Sequence, residues 1–291
     1  MNTPLLPRRT FLASLAATVP LALVACRKDT PATPPAAPPP KSGAALFKLG
    51  VASISLRQLA VPEVITVLKQ LEIGFVSIHG AHASFEKDTP EKCAGVAKAF
   101  RDAGIEVATS SVVNLPNDEA AVRRAFDNAR AGGLTLMTCK PALDAFPLLE
   151  RFVKETGIRL AVHNHGPEDK VYPSPYDVLK AIEPFDARIG LCLDVGHTVR
   201  AGVDPAKVIR EAASRLYDVH LKDSIALPGA LTDIPTEVGR GRIDIKAVIA
   251  ALIETKYAGV AAFEYERVGV NPVIGLAESV GHVRGLLRAE S

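Results

Sequence analysis

Residues 188–222 read RIGLCLDVGHTVRAGVDPAKVIREAASRLYDVHLK. An apolar run, 188–194, is followed by a helix-like segment at 205–213 and a second apolar run at 216–222. Pro205 directly after Asp204 is the pairing that helix starts prefer. Two short strands separated by such a helix form a parallel β–α–β unit. Ile189, Leu191 and Leu193 alternate with Cys192 and Asp194; Tyr217, Val219 and Leu221 alternate with Asp218, His220 and Lys222. Successive strand side chains point to opposite faces, so the apolar set meets the helices and the other set turns inward.

The same alternation runs outward in both directions. It predicts strands at 47–53, 74–79, 105–110, 134–139, 158–163 and 259–264 in addition to the two quoted. Helices are predicted at 61–71, 90–103, 118–131, 145–155, 175–182, 245–255 and 272–287. Gly104, Gly133, Gly157 and Gly259 fall between helix and strand, where a left-handed cap is expected. Eight strand–helix units within residues 45–291 predict a single-domain α/β protein, a (β/α)8 TIM barrel. The alternative is a doubly wound open sheet, but Val51-Ala52-Ser53-Ile54 carries no phosphate-binding glycine fingerprint.

Five strands place polar, ligand-type residues on the inward parity. Beyond the two quoted, Ser77 and His79 oppose Val76 and Ile78; His163 and His165 oppose Leu160 and Val162; Glu264 and Glu266 oppose Phe263 and Tyr265. These residues lie at the C-terminal ends of their strands, where barrel active sites are built. Burying so many charges without a ligand would cost several kcal/mol per unpaired ion. The set is oxygen and imidazole without thiolate, which suits one divalent ion among Mn, Mg, Co and Zn. Asp194, His220 and Glu264 are its expected core.

Composition excludes other classes. The chain is 48% hydrophobic and 23% charged with a net charge of +2, an ordinary globular balance. Its basic residues are scattered and aromatics make up only 5%, so nucleic acid is not an expected partner.

Residues 1–26 read as a targeting segment. Arg8-Arg9-Thr10-Phe11-Leu12 opens an apolar run too short to span a membrane comfortably, and that run ends at Leu23-Val24-Ala25-Cys26. The twin-arginine pair and the lipobox-like cysteine together predict export, lipidation of Cys26 and a barrel anchored on the periplasmic side of a bacterial membrane. Residues 27–44 are rich in Pro and Ala and read as an extended tether. Cys93, Cys139 and Cys192 remain, an odd number that excludes a complete disulfide framework.

The barrel residues resemble the xylose-isomerase-like superfamily, the sugar phosphate isomerase/epimerase group, in its subgroup with an HNHGPE signature. The resemblance is carried by His163-Asn164-His165-Gly166-Pro167-Glu168 and Asp194-Val195-Gly196-His197. His220-Leu221-Lys222-Asp223, Gly239-Arg240-Gly241 and Phe263-Glu264-Tyr265-Glu266 complete it. It implies a divalent metal held by Asp194, His220 and Glu264. The family's strand-five Glu is replaced here by His163, which leaves Glu168 or His163 as fourth ligand. It also implies catalytic contacts from His163, His165, His197 and Lys222, and substrate contacts from His79, His82 and Glu266. The expected activity is isomerisation or epimerisation of an unphosphorylated sugar, keto-sugar or inositol derivative by proton abstraction beside a carbonyl. The alternatives are dehydration or eliminative cleavage of a 3-keto-glycoside or inosose, and an anchored carbohydrate-binding barrel without chemistry. A third, abasic-site endonuclease, is disfavoured by the charge. The loop at 228–235 is expected to influence substrate choice, and the oligomeric state is left open.

Overall fold

A computed structural model describes residues 47–226 and 233–289. The expected targeting segment, Cys26, the tether and most of the 228–235 loop lie outside the described residues.

The strands are β1 (Lys48–Ala52), β2 (Phe75–Ile78), β3 (Glu106–Ser110), β4 (Val113–Leu115), β5 (Leu136–Pro141), β6 (Arg159–His163), β7 (Ile189–Asp194), β8 (Leu216–Leu221), β9 (Asp223–Ile225), β10 (Ile234–Thr236) and β11 (Val260–Phe263). The main sheet runs β3-β2-β1-β11-β8-β7-β6-β5-β4 with every neighbouring pair parallel. β9 and β10 form a separate antiparallel hairpin. The expected third strand appears as β3, and a short strand not read from the sequence, β4, follows it: β3 pairs with β2 and β4 pairs with β5, so the two share one barrel position. Between β3 and β5 the wall is joined by hydroxyls. Thr138 N donates to Thr109 Oγ1 at 2.9 Å and Ser110 Oγ donates to Thr138 O at 3.3 Å.

Helices surround the sheet: α1 (Val61–Gln70), α2 (Pro90–Asp102), α3 (Glu119–Ala131), α4 (Phe146–Thr156), α5 (Pro175–Ile182), α6 (Val195–Arg200), α7 (Pro205–Glu211), α8 (Ile245–Glu254) and α9 (Pro272–Ala289). Their starts follow local chemistry. Thr89, Asp118, Asp204 and Asp244 each accept a first-turn amide, meeting donors a helix leaves free. One expected cap differs. Gly259 has no positive φ; Lys256 takes the left-handed position after α8, at φ 52°. A Cβ at Gly259 would instead collide with the Tyr257 ring.

Strand parity sorts the core as read from the alternation. Leu160, Val162, Ile189, Leu191, Leu193, Val219, Leu221, Ala261 and Phe263 join the helices in one continuous apolar cluster. Ala161 and Cys192 face inward with Leu136. Tyr217 is the exception, since it packs on this inner group rather than on the helices. The β7–β8 register shifts between Leu191 and Cys192, giving β8 one extra residue there.

The Gly239-Arg240-Gly241 and Lys222-Asp223 pieces meet in space. Buried Asp223 accepts amides from Gly239 at 2.9 Å, Gly241 at 2.8 Å and Ile243 at 3.2 Å. A Cβ at Gly241 would strike that carboxylate. This part of the motif therefore builds the loop leading into α8. Asp223→Ala strands these amides, at about 1–3 kcal/mol for each that stays buried. A melting temperature lower by on the order of 10 °C is expected for a domain of this size, with a smaller loss for Asp223→Asn. Equal melting of Asp223→Ala and the parent in a thermal scan would contradict the assignment.

Candidate metal centre

β6, β7, β8 and the residue after β11 converge at one end of the barrel. His163, Asp194, His220 and Glu264 each bring one ligand-type atom, all within 4.8 Å of one another. His163 Nε2 lies 3.1 Å from His220 Nδ1 and 3.5 Å from Asp194 Oδ2. His220 Nδ1 lies 2.5 Å from Glu264 Oε2. Asp194 and His220 are wholly buried. Asp194 Oδ2 has no aligned hydrogen bond, although Lys222 Nζ is 3.2 Å away. An unsatisfied carboxylate oxygen among two imidazoles and a second carboxylate fits a divalent cation with nitrogen and oxygen ligands.

Several elements position these groups. Asp194 ends β7 and also caps α6, where its Oδ1 accepts from His197 N at 2.8 Å. Asn164, which the strand patterns did not single out, clamps the same residue. Its Oδ1 accepts from Asp194 N at 3.0 Å, and its Nδ2 donates to Asp194 O at 3.3 Å and Thr198 Oγ1 at 3.1 Å. Only its place between His163 and His165 could have marked it. Asp218 stands behind His220, with Oδ2 3.5 Å from His220 Nε2, and is itself held by Thr138 Oγ1 at 2.8 Å. Gly196 is required because a Cβ there would press on Lys222 at 2.9 Å.

Lys222 supplies the counter-charge, 2.9 Å from Glu264 Oε1 and 2.8 Å from Glu266 Oε2. Burial alone would raise the Asp194 and Glu264 carboxyls. Their neighbours win: the His197 ring, the Lys222 ammonium and a hydrogen bond from His163 hold Asp194 well below the usual carboxylate range, and the Lys222 and His220 cations do so for Glu264. The remaining imidazoles respond differently. Burial lowers His163 to about 3 and His165 to about 4, and it also lowers His197, so all three are neutral near pH 7.

His165 and His197 face the cluster, with ring centroids 5.9 Å apart. Arg200 Nη1 lies 3.1 Å from His197 Nδ1. Arginine only donates, so that nitrogen accepts and Nε2 carries the His197 proton. Arg200 also binds Glu168 Oε2 at 2.6 Å, where the Glu168 side chain is 56% exposed. The structure thus keeps Glu168 outside the cluster and puts His163 inside it. His82 is also turned away: Nε2 meets Leu59 O at 3.1 Å and Nδ1 meets Ser53 Oγ at 2.9 Å. Both ring nitrogens are thereby engaged in the wall, contrary to the expected substrate contact. His79 remains half-buried at the mouth, close enough to Glu264 to feel its charge.

A cleft of about 80 Å³ opens beside the cluster, lined by His197, Arg200, Lys222, Asp233, Glu264 and Glu266. A wider one, about 490 Å³, lies on the β4–β5 side. Lys140 lines that wider cleft and pairs with Asp169 near His165. Lys140 follows the inward parity of Thr138, a signal in β5 that the strand reading passed over.

Comparison with known proteins follows this geometry. Residues 65–286 match the family described as Xylose isomerase-like TIM barrel. The inosose dehydratase of Geobacillus kaustophilus (strain HTA426) is 27% identical over 163 residues, covering 50% of this chain and 51% of that protein. The chain spans about half the length of the curated relatives it matches. The crystal structure of the IolI protein with a binding zinc atom superposes with a TM-score of 0.69 at 15% identity, over 83% of this chain and 98% of that one. D-psicose 3-epimerase in the presence of D-fructose superposes at 0.64 and 13% identity, over 82% and 98%. These two structures share the fold. With the match extending over most of the barrel, the chain belongs to the xylose isomerase-like TIM barrel family.

Proposed function

We propose that this chain is a divalent-metal-dependent enzyme that removes a proton beside the carbonyl of an unphosphorylated keto-sugar or inosose and then expels a leaving group. The observation that carries this reading is the imidazole of His163 where a carboxylate is expected, with Glu168 turned to Arg200. Epimerisation by two carboxylates calls for one on each face of the substrate. Here the ion-paired Glu264, Glu266 and Lys222 share the site with three neutral imidazoles, His163, His165 and His197, so two unlike kinds of proton-handling group meet at it. Such an unlike set suits elimination, in which one group takes a proton and another gives one. The similarity to an inosose dehydratase supports the same direction.

His163, Asp194, His220 and Glu264 would hold the ion, which supplies Lewis-acid polarisation of the carbonyl when bound. The chain's own groups do the rest. Neutral His165 accepts the proton next to the carbonyl. His197 Nε2–H, fixed in that tautomer by Arg200, hydrogen-bonds a substrate oxygen. Lys222 Nζ, paired with the carboxylates, hydrogen-bonds the leaving oxygen.

The test combines metal analysis with a panel of keto-sugars and inososes in D₂O. Asp194→Asn and His220→Ala should weaken metal binding by more than the roughly 10–100-fold of an outer-shell change, while Glu168→Gln leaves it intact. A dehydrated product that has lost the α-hydrogen together with water supports elimination, and deuterium in an undehydrated epimer would replace it by epimerisation. Absence of both exchange and conversion across the panel would leave a binding barrel as the better account.

Acid stability provides a second check. His163, His165, His197, His79 and His82 all have lowered pKa values, so the unfolded chain takes up protons below pH 6.5 that the folded chain refuses. Between pH 6.5 and about 4.5, above the usual carboxylate range, the melting temperature of chelator-treated protein should fall as pH falls. A level profile across that window would mean the histidines take up protons freely in the folded state.

The reading places this chemistry outside the cytoplasm, on the strength of Arg8-Arg9 and the run ending at Cys26. Cys26→Ala should move the protein from the membrane to the soluble fraction. Unchanged fractionation would remove the anchor from the proposal.

A further inference from the structure

We infer that a second, sulphur-bearing coordination set lies one layer below the first, formed by His163, Cys192 and His220, and that it takes a thiophilic divalent ion in place of the ion above. One ligand-type atom from each of the three lies within 4.8 Å of the other two, and all three residues are buried. Cys192 is the inward residue of β7 two positions before Asp194, and it is the register partner of His163 on β6. The two sets share both histidines and differ only in what completes them. Above stand the oxygens of Asp194 and Glu264; below stands one sulphur.

A buried cysteine is commonplace on its own. The unusual feature here is the imidazole aimed at it. His220 Nε2 is fully buried and makes no well-aligned hydrogen bond, only a long ionic contact with Asp218, in a barrel whose other inward polar atoms are largely satisfied among the described residues. It faces the lower layer, 3.5 Å from Asp218 Oδ2, and the same oxygen accepts from Cys192 Sγ at 3.5 Å. Asp218 is held in place by Thr138 Oγ1 at 2.8 Å and by Val219 N at 3.0 Å. The layer therefore contains nitrogen and sulphur donors and a fixed carboxylate to balance an added cation. On binding, the Cys192 thiol would release its proton to solvent and ligate as thiolate.

The two sets divide ions by softness. Carboxylate oxygens suit Mg²⁺ and Mn²⁺, whereas thiolate selects Zn²⁺ and Cd²⁺. His220 turns Nδ1 to the upper set and Nε2 to the lower, but His163 is common to both, so occupancy is exclusive: one ion per chain, high or low. Cys192 has no part in the proposed reaction, so the lower position is a seat for a soft ion that takes His163 from the upper set.

The experiment titrates the metal-free full-length chain with Cd²⁺, following the ultraviolet sulphur-to-cadmium charge-transfer band. A parallel titration loads Mn²⁺ first and follows its release by electron paramagnetic resonance. One Cd²⁺ per chain should raise the band and displace Mn²⁺ one for one. Cys192→Ser should lose the band and weaken Cd²⁺ binding about tenfold or more, a change of the outer-shell order at least, with Mn²⁺ binding retained. Cys192→Ala is the second variant in case serine perturbs folding, and it should behave in the same way. No band in the parent would overturn the inference. So would a band that survives in Cys192→Ser, which would trace it to Cys26, Cys93 or Cys139, or Cd²⁺ and Mn²⁺ held together by one chain. A chain that binds no Mn²⁺ yet shows the Cys192-dependent band would support this inference while removing the metal-dependent reading above.

Discussion

Two fully buried groups, Asp194 and His220, set the terms for the charged end of this barrel. A carboxylate and an imidazole without access to water each need a partner of opposite sense, and removing one partner of such a pair costs several kcal/mol. Lys222 meets that need from above, 3.2 Å from Asp194 and 2.9 Å from Glu264. Asp218 meets it from below at 3.5 Å from His220. Asn164 locks the Asp194 backbone from the neighbouring strand, and α6 begins on its side chain. Gly196 leaves room for the Lys222 side chain beside these charges.

Charge balance gives the histidine substitution its meaning. Asp194, Glu264 and Glu266 carry three negative charges and share the single ammonium of Lys222, which leaves a net charge of minus two among these four groups. A divalent cation, if bound with His163 and His220 as neutral ligands, would bring that sum to zero. A further carboxylate at the His163 position would leave an excess negative charge in a water-poor pocket, which is expensive to bury. The low pKa of His163, about 3, keeps that position uncharged near neutrality.

Much of this was legible in residue order. Period-two alternation over 188–194, 216–222 and 259–264 named the strands, their inward faces and three of the four clustered residues, because parity on a buried strand is a local property. What escaped depended on contacts between distant segments. The β7–β8 register shift turned Tyr217 inward, and the break between β3 and β4 followed from how two neighbours pair. Glu168 sits five residues beyond His163, near enough in sequence to be a candidate, yet Arg200 on α6 claims it. His82 reads as a free loop histidine until Ser53 and Leu59, over twenty residues upstream, engage both its nitrogens.

The join between β3 and β5 has a mechanical consequence. Elsewhere the wall is a continuous ladder of amide hydrogen bonds, but here Thr109, Ser110 and Thr138 stitch it with side chains. A side-chain stitch opens without unravelling its neighbours, whereas a ladder yields cooperatively. The barrel therefore carries a built-in seam that is tied to its charged end: Thr138, which meets Thr109 across the seam, also donates to Asp218 behind His220, so breathing of the β3–β5 wall reaches the cluster.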